Sequence, residues 1–329
     1  MEVECRPVEA ELSAATGPAP ALSRSSRADV LGVVGELTMW VGEQSRSGID
    51  TGEVAALFPR LREVASRCAR RGDPLPPLLM TARAELLTGL ARAGSPRIAV
   101  SAAERASGRV ARELFVGYHR AGDRSSALTV AVVVPQAGGR VPGASLPADL
   151  ALCETLPDRL RITLTGTPAQ TRALLTGSCA DVAGGHWTGL AAVADDLAGP
   201  SSRAHSIALI ARALGYRPGA YDSSDVLVEL LASEDSRAVA ALLPMIEPVM
   251  VDDVLRRTLT ALVAVDGNRN LAARRLFVHR STLDYRLTKI HALTGRHPAS
   301  PRDLAVLSAA VAAHARATTA STAQSGDPA

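Results

Sequence analysis

The stretch GNRNLAARRLFVHRSTLDYRLTKI, Gly267 to Ile290, decides how this chain is read. It reads as two short helices joined by a tight turn, with basic residues on both. From Leu283, apolar residues recur at Leu287, Ile290 and Leu293, close to helical spacing on one stripe. Ser281, Asp284, Tyr285, Thr288 and Lys289 fall away from that stripe. A helix packed on one face and polar on the other, preceded by a shorter helix, is how a helix-turn-helix offers side chains to a DNA major groove. The stretch therefore predicts a DNA-binding regulator.

The flanks support a small helical module. Asp252 to Val265 has helical spacing, with Leu255, Leu259 and Leu262 on the inside. Asn270 is expected to cap the second helix. Ser300, Pro301 and Asp303 supply a cap residue, a proline at the first helical position and an acid in the first turn. A final helix is expected from there to about Arg316. Between Val254 and His297 stand nine bases against two acids, Asp266 and Asp284, a net of +7. The whole chain carries +3, so the remainder is −4. A basic module on a slightly acidic body is the electrostatic footprint of a nucleic-acid binder. Lys289 is the sole lysine, so the other 35 of 36 bases are arginine, which we read as a bias of genome composition.

At 329 residues the chain is expected to hold several domains. Hydrophobic residues make up 47% but aromatics only 3%, so the cores must be built from Ala, Leu and Val. The expected fold class is multidomain and mainly α, with one α/β domain. Residues 1–26 and 318–329 are rich in Ala, Pro, Ser and Thr and are expected to be disordered. Residues 27–120 carry four helical stripes: Val30, Val33, Val34, Leu37 and Val41; Val54, Leu57, Leu61, Val64 and Cys68; Leu78, Leu79, Ala82, Leu86, Leu87 and Leu90; then Val100 to Tyr118. Gly72-Asp73-Pro74 and Gly94-Ser95-Pro96 punctuate them, and a helical bundle is expected. From Ala127 the character changes. Leu128 to Val134 is a β-branched strand, Arg161 to Thr165 a second, and Trp187 to Val193 a weaker third. Helices are expected over Thr167–Leu175, Ser201–Leu214 and from Val226, giving an α/β domain over 127–245. The helix-turn-helix domain is placed at 249–317.

Other chemistry finds little footing. Cys5, Cys68, Cys153 and Cys179 are far apart and form no C-x-x-C pair, so free thiols are expected. There is no phosphate-binding P-loop, no G-x-S-x-G elbow and no H-E-x-x-H. His205 could be drawn with Asp195 and Asp196 as a site, but surface residues at helix ends are the expected reading. No enzyme activity, cofactor or metal is expected. The first residues lack a basic region followed by an apolar one, and no apolar run reaches the ~18 residues of a membrane span, so a cytoplasmic protein is expected.

The segment from about Val254 to Arg316 resembles the C-terminal helix-turn-helix of the PucR/CdaR family of bacterial regulators and, more distantly, that of the Fis nucleoid protein. The residues that carry the resemblance are Gly267-Asn268, Leu276 to Arg280, Thr282-Leu283, Tyr285 to Leu287, Ile290 and Leu293 to Gly295. Ser281 stands where the family usually has Asn, Ala272 where Thr is usual, and Asp284 where a base is common. A carboxylate there repels phosphate unless it accepts from a cytosine amino group or orients a neighbouring arginine. Residues 127 to about 231 look like the degenerate GGDEF-like domain of CdaR-type proteins. The catalytic hairpin signature is missing: Gly166-Thr167-Pro168 follows the second strand, and Gly184-Gly185-His186-Trp187 brings no carboxylates. The N-terminal bundle is similar to the helical sensor domain of RsbR-type proteins.

The resemblance implies a dimeric, sequence-specific transcriptional regulator of double-stranded DNA. Its upstream domains would serve dimerisation and signal input from an unknown small-molecule effector. Arg280, Ser281, Asp284 and Tyr285 would face bases or the groove wall. Thr282, Arg286 and Lys289, with Arg274 and Arg275 of the preceding helix, would position the backbone, and His279 would be a turn and phosphate-contact residue. Two alternatives stand beside this: an effector-sensing or protein-docking protein with weakened DNA binding, kept open by Asp284, and a nucleotide-processing enzyme.

Overall fold

The computed structural model describes residues 21–47, 51–92, 100–122, 127–136, 139, 151–156, 158–177, 185–193 and 198–325. The chain divides into two compact units, residues 1–125 and 126–329. It is mainly helical, with one small mixed sheet.

The first unit is a bundle of α1 (Arg24–Ser47), α2 (Thr51–Arg70), α3 (Leu75–Arg92) and α4 (Val100–Gly122). The anticipated stripes form its core: Val30, Val34, Leu61, Val64, Cys68, Leu78, Leu86, Leu114 and Phe115 are buried, and α2 packs along α4 as α1 does along α3. Leu87 of the third stripe is turned outward instead. Helix α1 already begins at Arg24, inside the segment expected to be disordered; residues 1–20 lie outside the described residues, as does Gly94-Ser95-Pro96. The reason is a polar tie. Asp73, in the turn between α2 and α3, accepts from the Ser23 N–H at 2.8 Å and from the Ser26 hydroxyl at 2.5 Å. Its backbone carbonyl accepts from the Tyr118 hydroxyl at 2.7 Å. Burial pushes the Asp73 carboxyl up, but the hydrogen bonds from Ser26 and Ser23 outweigh it and hold the group below its ordinary value.

The second unit opens with β1 (Leu128–Val134), whose seven residues are all buried. A β-branched run without alternation belongs in the middle of a covered sheet, and β1 is central. The sheet order is β2-β3-β1-β4-β5, with β2 at Ala151–Thr155, β3 at Leu160–Thr165, β4 at Trp187–Ala192 and β5 at Gly219–Tyr221. The β4–β5 pair is parallel and the others antiparallel. Edge strands β2 and β5 went unread in the sequence. Ala151 to Thr155 has no β-branched run, and its order comes from pairing with β3. The hairpin therefore closes between Thr155 and Leu160, where the Leu156 N–H meets the Arg159 carbonyl at 2.8 Å. Gly166-Thr167-Pro168 instead leads into α5 (Pro168–Gly177) through a capping box. There the Gln170 side chain accepts from the Thr167 N–H at 2.8 Å and the Thr167 hydroxyl from the Gln170 N–H at 3.3 Å.

Helix α6 (Ala198–Ala213) crosses between β4 and β5, packed on β4 and β1. His205 sits within it, not at a surface helix end as expected. Its ring nitrogens lie 2.5 and 2.9 Å from an Arg159 guanidinium nitrogen. Burial, then the Arg159 charge, pushes its pKa down to about 4. Asp195 and Asp196 lie outside the described residues.

Then follow α7 (Leu227–Glu234), α8 (Ser236–Val251), α9 (Asp253–Val263), α10 (Arg269–Arg275), α11 (Arg280–Thr294) and α12 (Pro301–Ser325). Helix α12 runs past Arg316, into the segment expected to be disordered, and its Leu307, Ala310, Val311 and Ala312 are buried on the side that packs on α6, α7 and α8. One apolar core joins Ile207 and Ile210 of α6, Leu230 of α7, Ile246 of α8, Leu283 and Ile290 of α11 and Leu307 of α12. The position expected for a domain boundary, 245–249, falls inside α8. Among the described residues no helix is long and apolar enough to cross a membrane.

Candidate nucleic-acid interface

Three helices and two turns build the site. Asp252 caps α9, accepting from the N–H groups of Val254 at 3.0 Å and Leu255 at 3.1 Å, and Leu255, Leu259 and Leu262 face inward as expected. The chain leaves α9 through Gly267 at φ +78°, whose N–H returns to the Leu262 carbonyl at 2.9 Å. That left-handed step sets the next extended residue, Asn268, as the cap of α10; its side chain accepts from the Leu271 N–H at 3.1 Å. Asn270, expected as the cap, lies inside the helix and serves the neighbouring element instead. Its side-chain carbonyl oxygen accepts from the Arg280 guanidinium at 3.1 Å.

The turn into α11 is made by Leu276, Phe277 and Val278. The Val278 N–H bonds to the Ala273 carbonyl at 3.0 Å and the Phe277 N–H to the Arg274 carbonyl at 3.1 Å, a pattern that needs a left-handed residue between them. Phe277 takes that conformation at φ +54°, where a side chain costs about 1–2 kcal/mol relative to glycine. It is also 96% exposed, whereas Val278 turns toward the core. His279 caps α11: its Nδ1 accepts from the Ser281 N–H at 3.3 Å and lies 2.8 Å from the Ser281 hydroxyl. An accepting Nδ1 puts the proton of the neutral ring on Nε2 and leaves an N–H donor free for a partner.

Along α11 the buried stripe is Leu283, Leu287, Ile290 and Thr294. Thr294 replaces the expected Leu293, which stays 42% exposed. The helix axis carries the stripe to the fourth position rather than the third, and the Thr294 hydroxyl is satisfied by the Ile290 carbonyl at 2.8 Å. Gly295 at φ +67° ends the helix. Ser281, Tyr285 and Thr288 lie opposite the buried stripe, and Tyr285 is 72% exposed, so it covers no core edge.

Two flanks separate the charges. On the flank toward α10, the Asp284 carboxylate lies 3.3 Å from an Arg269 guanidinium nitrogen and 3.9 Å from the Arg280 Nε. Asp284 thus pairs with Arg269 across the two helices and with Arg280 along its own, while Asn270 accepts from Arg280 across them. On the flank toward α9, Lys289 pairs with Asp252 at 3.1 Å. The Asp252 carboxyl is held below its ordinary value first by the Leu255 N–H and then by Lys289. Arg275 turns back to the body and donates to the Gly215 carbonyl at 2.7 Å. Among the described residues, Arg274, Thr282 and Arg286 have no hydrogen-bond or ionic partner from their side chains, so they are available to a ligand. The sequence did not single out Arg269, Asp252 or Phe277 for the site, nor this role for Asn270. The ties of Arg269, Asp252 and Asn270 are contacts across helices, and an exposed left-handed phenylalanine runs against any pattern rule.

The arrangement can do what a rigid anion-seeking edge does. It offers guanidinium groups, an imidazole N–H, hydroxyls and a phenol from one short helix and the turn before it, with the opposite helix face fixed in the core. Residues 255–313 match the PucR C-terminal helix-turn-helix domain. The match covers the geometry above from the buried Leu255 to the buried Ala313. The chain is 53% identical over 51 residues to the transcriptional activator PmfR of Paenarthrobacter nicotinovorans, which is 16% of this chain and 11% of PmfR. It is 38% identical over 85 residues to an uncharacterised protein of Mycobacterium tuberculosis, 25% of this chain and 20% of that protein. The chain therefore matches only a minor part of these relatives' length. It is also similar to the crystal structure of a regulator of polyketide synthase expression from Bifidobacterium adolescentis. That likeness covers 62% of this chain and 91% of the other, at 20% identity and a TM-score of 0.25.

Proposed function

We propose that this chain is a sequence-specific transcriptional regulator that seats α11 in the DNA major groove. The observation that carries the reading is the pose of Arg280. It stands at the first helical position of α11, with Asn270 and Asp284 fixing its guanidinium from the side, so a bidentate donor is presented rather than left to swing. Asp284, a departure from the expected base, supports this reading instead of the weakened-binding one, because its charge is taken up by Arg269 and Arg280. Ser281, Tyr285 and Asp284 would line the groove with it. Arg274, Thr282, Arg286 and the His279 Nε2–H would take phosphates. Arg275 and Lys289, turned to the body, would contribute only after exchanging their present partners.

One helix-turn-helix contacts a short half-site, so binding as a homodimer on paired half-sites is part of the proposal. The bundle and the sheet would supply the dimer contacts and the signal input, the sheet as a degenerate GGDEF-like domain. Consistent with a lost hairpin centre, the β2–β3 turn offers the lone carboxylate of Asp158, which leans on Arg159 at 3.6 Å. The test is selection of bound duplexes from fragmented genomic DNA by the full chain, followed by salt titration on a selected and a random duplex. Enrichment of a two-fold motif with tighter binding to the selected duplex is expected. Equal binding to both at every salt concentration would remove the sequence-specific reading.

A further inference from the structure

Phe277 carries two costs. It holds a left-handed backbone, φ +54°, at a position glycine would fill without strain, and its ring is 96% exposed to water. The ring is not free to be anywhere: the backbone bonds of Phe277 and Val278 to α10, and the burial of Val278 beside it, fix where it leaves the turn. It sits two residues before the cap of α11. Along the chain it stands between Arg274 of α10, without an ionic partner among the described residues, and His279 and Arg280 at the start of α11. An exposed apolar disc with phosphate-seeking residues before and after it in the chain matches the apolar surface that a duplex presents between its phosphates, the deoxyribose rings and the thymine methyl groups.

We propose that Phe277 is a DNA-contact residue, its ring set by the strained turn to lie against a deoxyribose or thymine methyl at the rim of the major groove. The inference rests on the DNA-binding reading above and adds an uncharged contact to it. The contact buries apolar surface and displaces no counterion, so it should strengthen binding without adding to its salt dependence.

The experiment uses the full chain as wild type, Phe277→Gly and Phe277→Asn, both replacements being tolerant of the left-handed turn. The probe is a duplex that the wild type selects from random sequence, read by fluorescence anisotropy across a salt series, with thermal unfolding alongside. Both variants should lose about tenfold in affinity, keep the wild-type salt slope and unfold no earlier than the wild type. Deoxyuridine in place of thymidine in the probe distinguishes the two surfaces. A loss for wild type that the variants do not share assigns the methyl group, and no loss assigns the sugar. Unchanged affinity in both variants would overturn the proposal while leaving the DNA-binding reading intact. So would a melting temperature lowered in both, which would make the ring structural, or a reduced salt slope, which would mean that the variants had moved a phosphate contact. A wild type that selects no duplex would instead remove the DNA-binding reading itself.

Discussion

In the first turns of α11, Asp284 draws Arg269 and Arg280 to the edge shared with α10, whereas further along the same helix Lys289 is drawn by Asp252 to the start of α9. Both halves are anchored by the same buried stripe, and both carry an ion pair to a neighbouring helix. The difference lies in what each pair leaves outside. At the front, one carboxylate serves two guanidinium groups, so positive charge remains in excess and is aimed. At the back, one carboxylate serves the sole lysine and is itself the cap of α9, so the pair is closed on the domain. A basic residue on a recognition helix is therefore not a phosphate contact by its type alone; the partner across the helix boundary decides whether it faces outward.

The largest effect should come from the anchor common to both halves. Leu283→Ala empties a fully buried position where α11 meets the core, and should cost about 2–5 kcal/mol of stability, read by chemical unfolding of the full chain. If it cost less than about 1 kcal/mol, the two halves would not share a rigid support. Next, Arg280→Ala should weaken binding to a selected duplex by roughly 1–3 kcal/mol and to random DNA much less. Equal losses on both duplexes would reduce Arg280 to a backbone contact and make the front half resemble the back.

Asp284→Asn removes the clamp without adding charge. Binding to random DNA should rise several-fold as Arg269 and Arg280 are released, and the ratio of selected to random affinity should fall. A raised ratio would show that Asp284 opposes base reading. The smallest effect is expected at the back. Lys289→Ala should change the salt slope of binding by less than one ion, because its charge is already engaged. It should show instead in acid. The Asp252 carboxylate is held below its ordinary value, so its contribution to stability is complete above that value and fades as pH falls through the lowered one. Without Lys289 part of the lowering is lost, so the loss of stability in acid should be smaller and should be complete at a higher pH in a series of melting curves between about pH 3 and 5. A salt slope lower by a full ion would return Lys289 to the phosphate contacts.

What could be read from the chain follows from which interactions are local. The helices of both units were legible because their burial repeats along one element: Val30 and Val34 in α1, or Leu255, Leu259 and Leu262 in α9, are set by the helical period alone. The central strand β1 was legible because seven consecutive buried residues leave few other solutions. Strand β2 and the run of α12 beyond Arg316 were not, since neither has a strong pattern of its own; β3 orders the strand.

The same division runs through the candidate site. Glycine positions, cap residues and apolar spacing are short-range constraints, so the residues alone pointed to two short helices joined by a tight turn within a domain placed at 249–317. Packing had to choose the rest: Asn268 rather than Asn270 as the cap of α10, Thr294 rather than Leu293 in the core, Asp284 with two arginines and Asp252 with the lysine. The ion pairs join side chains 4 to 37 positions apart in the chain, from Arg280 with Asp284 to Lys289 with Asp252. Electrostatic and hydrogen-bond energies fall away within a few ångströms, so only the packed arrangement of α9, α10 and α11 could select among the partners that the sequence made available.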